Sequence, residues 1–479
     1  VGFWLIRSHD LGIHHTCDLD VKDQGGKMKS AARPLLAALR REYSAQAAAA
    51  SKPRVSLSKQ APKVSKQPNG LVVASYENNS PVTRIAVVYN AGSRYEEPGS
   101  EGISHCLRSL SDLSTSKATN FSIVRNVQQV GGTLECTSTR EHMIYSVECT
   151  RDNVGAAAEY LGATASGPMF LDWEFEDNFA RIKTEAEQLN LRPDILTIEA
   201  LHKATFRNGL GNSLYLNPDK VGHLTPKLLQ SYMSSHFTPS NMAVVGVGID
   251  HDLLLHYTNV QLGLNKLPAG QVVTPAQSVF SGGELRIDNS NGLVHAAVVT
   301  EGVSLGSKEL LPLAVLQKAL GTGTSIKYSS GSSKISQAAA QAVSGPFAAS
   351  AINFNYSDSG MFGFYTISHA ADTGKLLKSL VQLFSSATKG LSDADIQRGK
   401  NQLKASILMD LESGDQELVD ITSQVSLSGQ VLPPAEVVKS IDAITAADVT
   451  NVAKKVINGK PSMAAVGNLA NTPYLDQLI

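Results

Sequence analysis

The 479-residue chain repeats itself. In its first half Leu224-Thr225-Pro226 opens a helical stretch that leads to Pro239-Ser240-Asn241-Met242-Ala243-Val244-Val245-Gly246. In its second half Ile444-Thr445-Ala446 opens one that leads to Pro461-Ser462-Met463-Ala464-Ala465-Val466-Gly467. The offset is 220 at the helix starts (444 − 224) and 221 at the methionines (463 − 242). An internal repeat of roughly 200 residues predicts two α+β modules of one fold. The earlier parts of the halves agree. Leu71–Tyr76 and Val82–Tyr89 read as strands around Glu77-Asn78-Asn79-Ser80-Pro81, a turn signal that predicts a hairpin. Gly283–Ile287 and Val294–Thr300 repeat the pair around Asp288-Asn289-Ser290-Asn291-Gly292, followed by a helix at Lys308–Leu320. Further helical periodicity covers 100–113, 154–165 and the long stretch 173–191, with strands at Leu134–Ser138 and His142–Thr150. The boundaries follow: a first module at 67–260, a linker at 261–279 where Pro268, Gly270 and Pro275 interrupt both periodicities, and a second module at 280–479.

The residues ahead of the first module point to a compartment. Residues 28–43, from Met28-Lys29-Ser30 to Arg40-Arg41-Glu42-Tyr43, are Ala/Leu-rich, punctuated by Lys29, Arg33, Arg40 and Arg41, and free of acids until Glu42. That is the composition of a mitochondrial transit peptide, with cleavage expected between Tyr43 and Ser44. Residues 1–27 read as a non-native upstream extension, so His14, His15 and Cys17 are not proposed as metal ligands. Residues 44–66, rich in Ala, Ser, Lys and Pro, read as a flexible segment.

Composition narrows the function classes. The 42 Lys+Arg balance 43 Asp+Glu, which argues against a dedicated nucleic-acid binder. No run approaches the roughly 20 apolar residues of a membrane span. Four cysteines without a CxxC pair make neither a disulfide framework nor a zinc ribbon.

One helix carries the outline of a metal motif. Gly92-Ser93-Arg94-Tyr95-Glu96 precedes Gly102-Ile103-Ser104-His105-Cys106-Leu107-Arg108-Ser109-Leu110, with Ile103, Cys106, Leu107 and Leu110 on a buried stripe. Here the sequence resembles the pitrilysin-type inverzincin metallopeptidases, a family that includes both subunits of the mitochondrial processing peptidase. In that family H-x-x-E-H presents two histidines to zinc and a glutamate to the attacking water. The resemblance implies that His105 matches the first ligand, Arg108 the general base, Ser109 the second ligand and Glu185 the third. A guanidinium cannot take a proton from water and would repel zinc, and a serine hydroxyl is a poor ligand beside imidazole. The set is therefore read as degenerate, with no catalytic residue, no metal and no cofactor. Gly321-Thr322-Gly323-Thr324-Ser325 lacks the phosphate-loop frame. His251 and His256, five apart, are expected on a partly exposed helix.

Further segments resemble one branch of the family. These are Phe280–Arg286, His295–Gly302, Asn355-Tyr-Ser-Asp-Ser-Gly-Met-Phe-Gly-Phe-Tyr365, Lys460–Asn468 and Thr472-Pro473-Tyr474. They are similar to the second core subunits of the mitochondrial ubiquinol-cytochrome c reductase, respiratory complex III. The resemblance implies modules built of a mixed, largely antiparallel sheet packed by helices, and a matrix-side place on the inner membrane without a membrane span. Its implied partners are core subunit 1, cytochrome b, cytochrome c1 and the Rieske subunit, whose presequence the cavity between core subunits processes or retains. The implied role is a structural, non-redox subunit, in keeping with the lack of any apparent haem or cluster ligand set. The alternatives are the non-catalytic, presequence-binding subunit of the processing peptidase and an active metallopeptidase.

Overall fold

The computed structural model describes residues 60–264, 267, 270–289, 291–323 and 333–478. The expected transit peptide, Tyr43, Ser44, and Thr324 and Ser325 of the glycine-containing segment lie outside the described residues.

The strands of the first half are β1 (Lys63–Lys66), β2 (Val72–Tyr76), β3 (Val82–Tyr89), β4 (Thr133–Ser138), β5 (Met143–Thr150) and β6 (Met242–Val247). They form a sheet in the order β1-β2-β6-β3-β5-β4. Those of the second half are β7 (Glu284–Asp288), β8 (Leu293–Glu301), β9 (Phe347–Asn355), β10 (Gly360–His369) and β11 (Ser462–Gly467), in the order β7-β11-β8-β10-β9. Apart from β1 the two orders are the same, which is the repeat seen in three dimensions.

The expected hairpins do not form. β6 lies between β2, which it pairs in parallel, and β3, which it pairs antiparallel. β11 separates β7 from β8 in the same way. The reason is burial: every residue of β6 and of β11 is buried, and a strand covered on both faces belongs inside a sheet. The turn at 77–81 instead carries the chain past the end of β6, where Gly248 N–H donates to Tyr76 O at 2.9 Å and Thr83 Oγ1 to Gly248 O at 2.8 Å.

The first-half helices are α1 (Ile103–Ser109), α2 (Asn120–Gln129), α3 (Val154–Ser166), α4 (Asp172–Asp177), α5 (Phe179–Gln188), α6 (Pro193–Thr205), α7 (Pro226–His236) and α8 (His251–Val260). The second half supplies α9 (Leu310–Leu320), α10 (Lys334–Ala342), α11 (Thr373–Ala387), α12 (Asp393–Asp410), α13 (Gly414–Ser428), α14 (Pro434–Ala443) and α15 (Ala446–Ile457). The single helix expected over 173–191 is broken at Asn178, whose Nδ2 donates to Glu174 O at 2.7 Å. The matched starts of α7 and α15 are capped alike: Thr225 accepts from Leu228 N–H, and Thr445 forms a capping box with Asp448. His251 is buried rather than partly exposed, between Ser75 Oγ at 2.8 Å and Ser65 Oγ at 3.1 Å.

Each half covers the other's sheet. Leu418, Ile421 and Val425 of α13 pack with Ala74, Ala86, Val88, Ala243, Val245 and Val247, the face of the first sheet turned away from its own helices. α6 lies reciprocally on β7, β8 and β11, with Thr205 Oγ1 donating to Ser462 Oγ at 3.1 Å. The two helices are repeat counterparts, offset by 221 (414 − 193). Each sheet is thus sandwiched between helices of its own half and one from the other, so neither half buries its apolar surface alone.

Candidate functional site

α1 is anchored before its motif begins. Glu96 accepts from Gly102 N–H at 2.7 Å, Ser104 N–H at 2.8 Å and Ser104 Oγ at 2.6 Å, satisfying donors at the helix start. Burial, opposed by these hydrogen bonds, holds its carboxyl at about 7. Gly102 is required here: its φ is +92°, and a Cβ would lie 2.4 Å from Leu216 Cδ1. Ile103, Cys106, Leu107 and Leu110 face the core, each 1% exposed, as their spacing predicts.

His105 is fully buried, and neither ring nitrogen has a hydrogen-bond partner among the described residues. Its Nε2 lies 3.6 Å from Glu185 Oε2, within ion-pair range. The pair is nonetheless a polar contact, because burial first and the Arg108 charge second push the imidazole pKa down to about 3 and leave it neutral. Ser109 Oγ donates to the same Glu185 oxygen at 2.6 Å. The fold thus brings His105, Ser109 and Glu185, the positions the resemblance names, together across α1 and α5. Arg108 is drawn elsewhere: Nη1 donates to Ser138 Oγ at 3.2 Å, and the guanidinium sits 5.4 Å from the centre of the Tyr215 ring. Tyr215 also lies 5.7 Å from the His105 ring, a contact that no local sequence signal announces. One turn before Glu185, Arg181 Nη2 donates to Ser109 O and pairs with Asp112 at 3.2 Å.

These donors do not fit a catalytic zinc. One imidazole and one carboxylate converge, and the hydroxyl in the second histidine's place is committed to the carboxylate that would have to face the metal. Among the described residues no three His, Cys, Asp or Glu side chains gather closely enough to hold a metal ion. The group at the general-base position is a cation turned toward a serine and an aromatic ring.

A second polar constellation lies between the halves. Arg94, whose side chain is 2% exposed, pairs with Glu141 at 2.7 Å and with Asp358, and also donates to Ser357 Oγ at 2.9 Å and Ala276 O at 3.0 Å. Glu141 in turn accepts from Ser357 N–H at 3.1 Å and Ser357 Oγ at 2.5 Å. Beside it Arg140 pairs with Glu199 at 2.6 Å, and His202 Nε2 meets Tyr356 Oη at 2.6 Å. The Tyr-Ser-Asp-Ser segment between β9 and β10, read in the sequence only as a resemblance, is the peg that fits this socket. Arg94 stands in a quoted motif and Glu141 in a strand turn, yet nothing local pairs Arg94 with Asp358, 264 positions away, or Glu141 with Ser357, 216 positions away.

The altered motif and the two interlocked halves fit the outcome of comparison with known proteins. Residues 71–219 match the family described as insulinase, peptidase family M16, and residues 223–403 match the peptidase M16 inactive domain. The chain belongs to peptidase family M16. It is similar to the human cytochrome b-c1 complex subunit 2, mitochondrial, at 41% identity over 86% of this chain and 91% of the relative. The Rattus norvegicus protein of the same name is 40% identical over the same shares. The mitochondrial-processing peptidase subunit alpha of Solanum tuberosum is 29% identical over 85% of this chain and 82% of that one. With its second matched segment the family's inactive domain, the chain is a catalytically degenerate M16 homologue.

Proposed function

We propose that this protein is a structural core subunit of the mitochondrial ubiquinol-cytochrome c reductase, supporting its assembly while other subunits carry electrons from ubiquinol to cytochrome c. The observation that carries the reading is the 41% identity that extends over 91% of a complex III subunit, against 29% for a processing-peptidase subunit. The replaced base and ligand at Arg108 and Ser109 agree with a role that needs shape and not hydrolysis. No helix among the described residues is long and apolar enough to cross a membrane, and in this reading attachment runs through partners. Those partners are core subunit 1 and, within the complex, cytochrome b, cytochrome c1 and the Rieske subunit, on the matrix side of the inner membrane. The space between core subunits would process or retain the Rieske presequence.

Residues 28–43 serve in this reading as a transit peptide removed between Tyr43 and Ser44, and 67–260 and 280–479 as the two modules. Gentle solubilisation of mitochondrial membranes followed by native electrophoresis tests the whole. Migration with haem absorbance supports the subunit role. Migration as a haem-free soluble heterodimer favours the presequence-binding subunit of the processing peptidase instead. Sequencing the N-terminus of the mature chain checks Ser44.

A further inference from the structure

We draw no further inference here: the strongest candidate, the cavity between the 112–120 and 169–181 segments of the first half, where Phe121, Met169 and Trp173 are exposed, is lined by both cations and carboxylates, and nothing in the structure shows what covers its apolar face.

Discussion

Replacing Arg94 by methionine should unfasten the two halves. The substitution keeps much of the side chain's apolar length but removes the cation from between Glu141, 9% exposed, and Asp358, 24% exposed. Breaking a buried pair from one side costs about 3–5 kcal/mol, because a desolvated charge is left without its partner. Glu141 retains its bonds from Ser357, and Asp358 can recover some hydration, so the lower half of that range applies, about 3 kcal/mol. Arg94→Met/Glu141→Gln/Asp358→Asn, which removes the charges together, should be less damaging than Arg94→Met alone. Urea unfolding of the single and combined variants measures both quantities. Limited proteolysis gives a local readout, because Arg94 also holds Ala276 O and Asp358 accepts from Ser278 N–H at 2.8 Å, so residues 271–279 should become the first site cut. A loss below about 1 kcal/mol, or single costs for Arg94→Met and Glu141→Gln that simply add in the double variant, would refute the clasp.

Other consequences can be measured independently. His105 has a folded pKa of about 3 against an ordinary 6.5, so its contribution is fully present above pH 6.5 and is lost as pH falls toward 3, at most about 5 kcal/mol. His105→Gln should flatten acid unfolding in that window, and an unchanged profile would contradict the buried neutral imidazole. Glu96, raised from 4.5 to about 7, acts in the opposite sense: the folded state holds the proton more tightly, so stability falls as pH rises through this window, by at most about 3 kcal/mol. Titrating Glu96→Gln beside the parent should remove that slope. Arg108→Glu combined with Ser109→His rebuilds three ligands with His105 and Glu185, and calorimetry should find one zinc per chain; a folded variant that takes up none would show that the helix pair has drifted from ligand spacing. Ile421→Ala should cost about 2–5 kcal/mol. Residues 60–263 produced alone should aggregate through the face that α13 covers, and co-production with 280–479 should rescue them; a soluble, cooperatively folding first half would contradict the helix exchange.

The sequence by itself determined the repeat, because matched caps and apolar periods at Thr225 and Thr445 are local patterns of a few residues. The expectation of a degenerate metal motif rests on the same local ground, since a guanidinium and a hydroxyl are the wrong groups for a base and a zinc ligand whatever surrounds them. Strand positions such as Val82–Tyr89 were legible for the same reason: alternation and β-branching act within the segment. Tertiary structure alone decided which strands are neighbours. The turn at 77–81 favours a hairpin locally, but β6, apolar on both faces, loses more by being left at an edge than the hairpin gains by forming. The break at Asn178, the exchange of α6 and α13, and the pairing of Arg94 with Asp358 likewise depend on groups distant in the chain. Burial is a property of the assembled molecule: it makes Arg94 a clasp and His105 neutral, and local spacing carries no measure of it.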